Sequence, residues 1–187
     1  AALEKKSIYQ YFTIGVFFGL GFLMKQQAIF LILFSGLVLL FYSFLEFKKG
    51  EFVFKDFIIR GLLLVTGTVL PFILTVILLY SAGVFPSFWY WTFQYASKYA
   101  AMSTLGEGLK NLTNVFLLLS FGYRTLWAFV GIGLIFSFFI KQEFSKKVFL
   151  FLLFVFSFLT TTPGFYFREH YFITFLPFAF VYFGIIM

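Results

Sequence analysis

The chain of 187 residues has no cysteine and one histidine. The first absence removes disulfides, thiol chemistry and cysteine-based metal sites. The second leaves His170 unable to hold a metal by itself, and no Asp lies near it in sequence to complete a Ser-His-Asp triad. Charge is scarce as well. Only 11% of the residues are charged, against about 25% in ordinary soluble domains. No cofactor is identifiable from these residue types.

What the chain does contain is apolar and aromatic. Hydrophobic residues make up 62%, aromatics 26%, and phenylalanine alone occurs 35 times. A domain of this size cannot hide that many rings from water, so part of its surface must face lipid. The net charge is +7, but the basic residues sit in short clusters between apolar runs, the layout of membrane loops. Nucleic acid is therefore excluded as the reason for the basic balance. The chain opens on AALEKK and stops within an apolar run, which reads as a segment of a longer protein whose remainder is its partner.

A membrane helix needs about 20 mainly apolar residues. The expected fold is all-α, a polytopic transmembrane helix bundle of about six spans forming part of one domain. The spans fall near 8–24, 28–47, 58–83, 125–140, 148–163 and 171–187, with Pro71 inside the third and Pro177 expected to kink the sixth. The segments Ala1–Ser7, Lys48–Arg60 and Lys141–Lys147 hold nine Lys and Arg residues, and the other side holds five. By the positive-inside rule the richer side is cytoplasmic. The N-terminus of the segment then lies inside.

The opposite side receives the Lys25-Gln26-Gln27 break, the long loop Val84–Tyr123 and the turn Gly164–His170. In the long loop, Phe88, Trp91, Tyr95 and Tyr99 recur at helical spacing, and Trp and Tyr favour the headgroup layer. An interfacial helix is expected near 86–102. Leu105–Asn114 reads as the polar stretch of the loop. Val115–Phe121 is too short to span, and reads either as interfacial or as the start of the fourth span. Asn111-Leu112-Thr113 matches a glycosylation acceptor pattern that is frequent by chance.

Two outer features carry candidate chemistry. Lys25 lies between an outgoing and an incoming helix, either as a hairpin tip touching headgroups or as a cation for an anionic ligand. Arg168, Glu169 and His170 stand together after Pro163-Gly164, which breaks the incoming helix. There they form either a charged turn, with Arg168 and Glu169 paired or solvated, or a binding group. An Arg fork suits phosphate, and a Lys supplies a compact charge. Lys25, Arg168 and His170 are thus candidates to bind the phosphate of a carrier lipid, with Glu169 a candidate either to orient Arg168 or His170 or to act as a base.

The stretch Gly19-Leu20-Gly21-Phe22-Leu23-Met24-Lys25 resembles the glycine- and leucine-rich, lysine-ending helix of the GT-C polytopic glycosyltransferases. The groups concerned are the protein O-mannosyltransferases, the aminoarabinose transferases and their bacterial relatives. The stretch His170-Tyr171-Phe172-Ile173-Thr174-Phe175-Leu176-Pro177 is similar to a His-Tyr-Phe…Pro segment of that family. The order of hairpin, basic loop, outer loop and His-Tyr-Pro helix also fits, and the resemblance covers most of the chain. Met24 stands where the family carries Thr or Ser.

The resemblance implies transfer of a sugar from a polyprenyl-phosphate-linked donor to an acceptor at the outer face. The protein would be an integral one, of a bacterial inner membrane. The family's catalytic acid lies in a first outer loop with no counterpart here, so the segment is expected to begin after it. Two other classes remain: a transporter or channel segment, for which paired broken helices would speak, and a non-catalytic membrane subunit of a larger assembly.

Overall fold

The computed structural model describes residues 8–185. The Ala1–Ser7 segment of the charge count and the last two residues of the sixth expected span lie outside the described residues. Within them the chain is helical, with no strand. It divides into two compact units, residues 1–93 and 94–187.

The first unit holds α1 (Tyr9–Met24), a 3-10 turn (Gln26–Ala28), α2 (Ile29–Lys48), α3 (Phe54–Ser81) and the short α4 (Phe85–Trp89). Two helices among the described residues are long and apolar enough to cross a membrane: α2 with its preceding turn, 23 residues, and α3, 28 residues. At 1.5 Å per residue even the shorter exceeds the ~30 Å hydrocarbon core. Pro71 lies inside α3 without ending it. Leu62, Val65, Leu74 and Leu78 of α3 are each more than half exposed, as a lipid-facing surface requires and a water-facing one does not.

α1 and α3 meet backbone to backbone. A Cβ on Gly15 would stand 2.3 Å from the Leu64 carbonyl oxygen, and one on Gly67 would stand 2.3 Å from that of Phe12. No side chain fits at either place, so glycine sets how closely the helices approach. In lipid, where apolar surface gives no drive for association, such close packing holds helices together. Beside this crossing, Tyr11, Leu39 and Leu64 form a buried cluster. Arg60, expected at the edge of a cytoplasmic loop, is instead buried within α3 and paired with Glu46 of α2.

A π-helical stretch, Tyr90–Tyr95, runs across the boundary between the units, so residues 85–100 are helical as the aromatic spacing predicts. The second unit continues with α5 (Ala96–Ala100), α6 (Leu105–Phe121), α7 (Arg124–Ser137), α8 (Phe144–Leu159), 3-10 turns at Pro163–Phe165 and Glu169–Thr174, and α9 (Leu176–Gly184). Its core is Val115, Val130, Phe167, Phe172, Phe175, Ala179 and Tyr182, with Trp127, Phe154 and Phe158 packed around it.

Several expectations change here. The polar stretch Leu105–Asn114 and the apolar run Val115–Phe121 form one helix, α6. A reciprocal cap starts it: Glu107 N–H donates to the Thr104 hydroxyl, and the Glu107 carboxylate accepts from the Thr104 N–H at 2.8 Å. Val115–Phe121 therefore does not run straight into the fourth span, because α6 and α7 meet at 110°. The fourth, fifth and sixth expected spans correspond to α-helices of only 14, 16 and 9 residues. Among the described residues, two helices reach spanning length, or three spans result if the bent α6–α7 pair counts as one. Pro177 does not kink a helix but sits in the first turn of α9, where its missing N–H has no intrahelical partner to lose. The residues before it form a 3-10 turn.

Candidate functional site

Lys25 ends α1. Its backbone is extended (φ −155°), its N–H donates to Gly21 O at 2.9 Å, and its carbonyl accepts from Ala28 N–H at 2.9 Å. The polar break expected from the sequence is therefore a tight helix-to-helix turn. Gln26 fastens it to the aromatic stretch, donating through its side-chain amide to the Thr92 carbonyl. Partial burial pulls the Lys25 ammonium below its ordinary pKa, because the charged form is the one desolvation disfavours.

The other candidates are built in the second unit. α8 ends in Thr160-Thr161-Thr162, whose hydroxyls donate to Ser157 O, Phe158 O and Leu159 O. The same carbonyls also accept the backbone N–H groups of Thr160, Thr161 and Thr162, so hydroxyls and main chain together close the helix end. Pro163-Gly164 then turns the chain as predicted, Gly164 taking φ +70°. Two non-glycine residues follow in the left-handed region, Phe165 (φ 55°) and Phe167 (φ 44°). Such backbone is uncommon outside glycine and concentrates at functional sites. Phe167 is buried in the core, while Arg168, Glu169 and His170 on its far side are exposed.

These three side chains line a cavity of about 580 Å³, together with Asn111, Asn114 and Tyr166 among others. α6 supplies the opposite wall and is held close. A Cβ on Gly108 would lie 2.6 Å from that of Phe165, and the Asn111 amide donates to Phe165 O at 3.1 Å. Arg168 forms no ion pair with Glu169, although they are neighbours in sequence. Its guanidinium donates to the Tyr99 hydroxyl and lies 5.9 Å and 5.5 Å from the ring centroids of Tyr99 and Tyr166. His170 packs edge-on against Tyr171, centroids 4.7 Å apart.

The structure thus brings Arg168, Glu169 and His170 to one cavity. Lys25 stands in the first unit, in the setting described above. Comparison with known protein families, with curated proteins and with solved structures finds no match for this chain.

Sequence reasoning missed three residues of the site, Asn111, Asn114 and Tyr166, and read Tyr99 only as part of an aromatic stretch that lines the acceptor or lipid side or anchors at the interface. Asn111 drew notice only as part of a glycosylation triplet; in the fold its amide is committed to Phe165 O. The readable signal was the Thr104-x-x-Glu107 pattern, a capping box that starts a helix and so places Asn111 and Asn114, three residues apart, on one face of α6. Chemically, the cavity offers a guanidinium and an imidazole for an anion, the Asn114 carboxamide for a hydroxyl group and one carboxylate able to take a proton.

Proposed function

We propose that the chain is part of a membrane glycosyltransferase that moves a sugar from a polyprenyl-phosphate-linked donor to an acceptor at the outer membrane face. The observation that carries this reading is the cavity of about 580 Å³ lined by Arg168, Glu169 and His170 together with Asn111 and Asn114. Arg168 and His170 take the lipid phosphate, the leaving group of the transfer. Cations there stabilise the charge that grows as the glycosidic bond breaks. Lys25 is, in the same reading, a further cation for a lipid phosphate. The Asn114 carboxamide fits a sugar hydroxyl, and Glu169 serves in this reading as an orienting group or as the base that takes the acceptor's proton. The likeness of the Gly19–Lys25 and His170–Pro177 stretches to GT-C transferases supports the same assignment, as do two helices of spanning length.

The test is glycosyl transfer by the full-length protein in proteoliposomes supplied with polyprenyl-phosphate sugars. Arg168→Ala and Lys25→Ala should each abolish turnover while the protein stays folded in the membrane. Normal turnover in both variants overturns the assignment of the phosphate site.

A further inference from the structure

Arg168 is not left to sample rotamers at the cavity rim. Its guanidinium donates to the Tyr99 hydroxyl and rests beside two stacked rings, Tyr99 and Tyr166, whose centroids are 4.6 Å apart at 20°. The Tyr166 hydroxyl in turn donates to the Tyr99 carbonyl at 2.9 Å. The backbone leading to Arg168 is left-handed at Phe165 and at Phe167. Such a path persists only where its surroundings dictate it. Here those surroundings are the Asn111 amide on Phe165 O, the glycine gap at Gly108, and Phe167 driven into the core.

We infer that Tyr99 and Asn111 are positioning residues that fix the Arg168 guanidinium at the cavity rim before any ligand arrives. Tyr99 holds the side chain and Asn111 holds the backbone that presents it. An arginine otherwise loses much rotamer freedom when it captures an anion, and a fixed fork gives up less. The purpose of this arrangement rests on the phosphate reading above, but the fixation itself can be measured without it.

The experiment uses the full chain in nanodiscs and two variants, Tyr99→Phe and Asn111→Ala. The first keeps the ring stack and deletes one hydroxyl. Phenylglyoxal modification of Arg168 is followed by peptide mass spectrometry, with Arg124 as internal reference. Modification of Arg168 should accelerate about fivefold in each variant while Arg124 keeps its rate. Binding of a polyprenyl monophosphate, added to the nanodiscs, should weaken about tenfold, the scale of one hydrogen bond to a charged group. An unchanged Arg168 rate in both variants overturns the inference, and so does a parallel rise at Arg124, which would signal general loosening. Faster Arg168 modification in a chain that binds no polyprenyl phosphate leaves the positioning intact and removes the phosphate reading.

Discussion

Arg60 of α3 donates through one guanidinium nitrogen to both carboxylate oxygens of Glu46 on α2, at 2.9 Å and 3.0 Å. Only 7% of the Arg60 side chain is exposed, and its guanidinium also lies 6.0 Å from the Tyr11 ring centroid. One buried charge on α3 therefore reaches both α1 and α2.

Removing one partner strands the other. Breaking a buried pair costs about 3–5 kcal/mol, and the partly exposed Glu46 side chain places this pair near the lower figure. Arg60→Met should therefore destabilise the first unit by about 3 kcal/mol, read as a lowered unfolding midpoint in mixed micelles. The double variant Glu46→Gln/Arg60→Met should recover most of that loss. A single variant as stable as the parent would mean the pair holds nothing together.

The α1–α3 crossing makes an independent prediction. Gly67→Leu must push apart backbones that leave no room for a Cβ. Overpacking costs about 1–3 kcal/mol, occasionally more, and here the obstacle is main chain that cannot rotate aside. The loss should reach at least the top of that range, with faster proteolysis between α1 and α3. Gly36→Ala, where nothing lies within 4 Å of the added carbon, should cost no stability and gain at most about 1 kcal/mol of helix propensity, and serves as the control.

The α6 cap makes the fold sensitive to acid at one defined place. Hydrogen bonds from the Thr104 N–H and hydroxyl hold the Glu107 carboxyl below its ordinary value of 4.5. A lowered folded pKa means the charged form stabilises the fold. That stabilisation is complete above pH 4.5 and disappears as pH falls through the lowered value. Amide exchange at Gly106, Glu107 and Gly108, corrected for its intrinsic pH dependence, should accelerate over that acid window. Thr104→Ala should give about fivefold faster exchange at neutral pH, the scale of one lost cap. Equal protection in parent and variant would remove the cap from the account.

Local signals were legible and distant partnerships were not. The long apolar runs gave α2 and α3 to within a few residues, because composition and length alone decide whether a helix reaches across a bilayer. Lys25 and Pro163-Gly164 marked real breaks, since each acts on its own backbone. Arg60 looked like a loop charge because its partner, Glu46, sits on the preceding helix, 14 residues away. Arg168 looked free, or paired with Glu169, because Tyr99 lies 69 residues distant. Pro177 reads as a kink or as a helix start depending on whether the preceding turn is α or 3-10, and apolar periodicity does not separate those.

The short α-helices of the second unit carry a mechanical consequence. At 1.5 Å per residue, α7, α8 and α9 extend about 21, 24 and 14 Å, each shorter than a ~30 Å hydrocarbon layer. A bilayer that accommodates short segments pinches inward and draws its headgroups down with them. If these helices lie across a bilayer, the lipid beside them must thin or the flanking polar residues must reach outward, and on the phosphate reading proposed above either response shortens the path of a lipid-borne phosphate to Arg168.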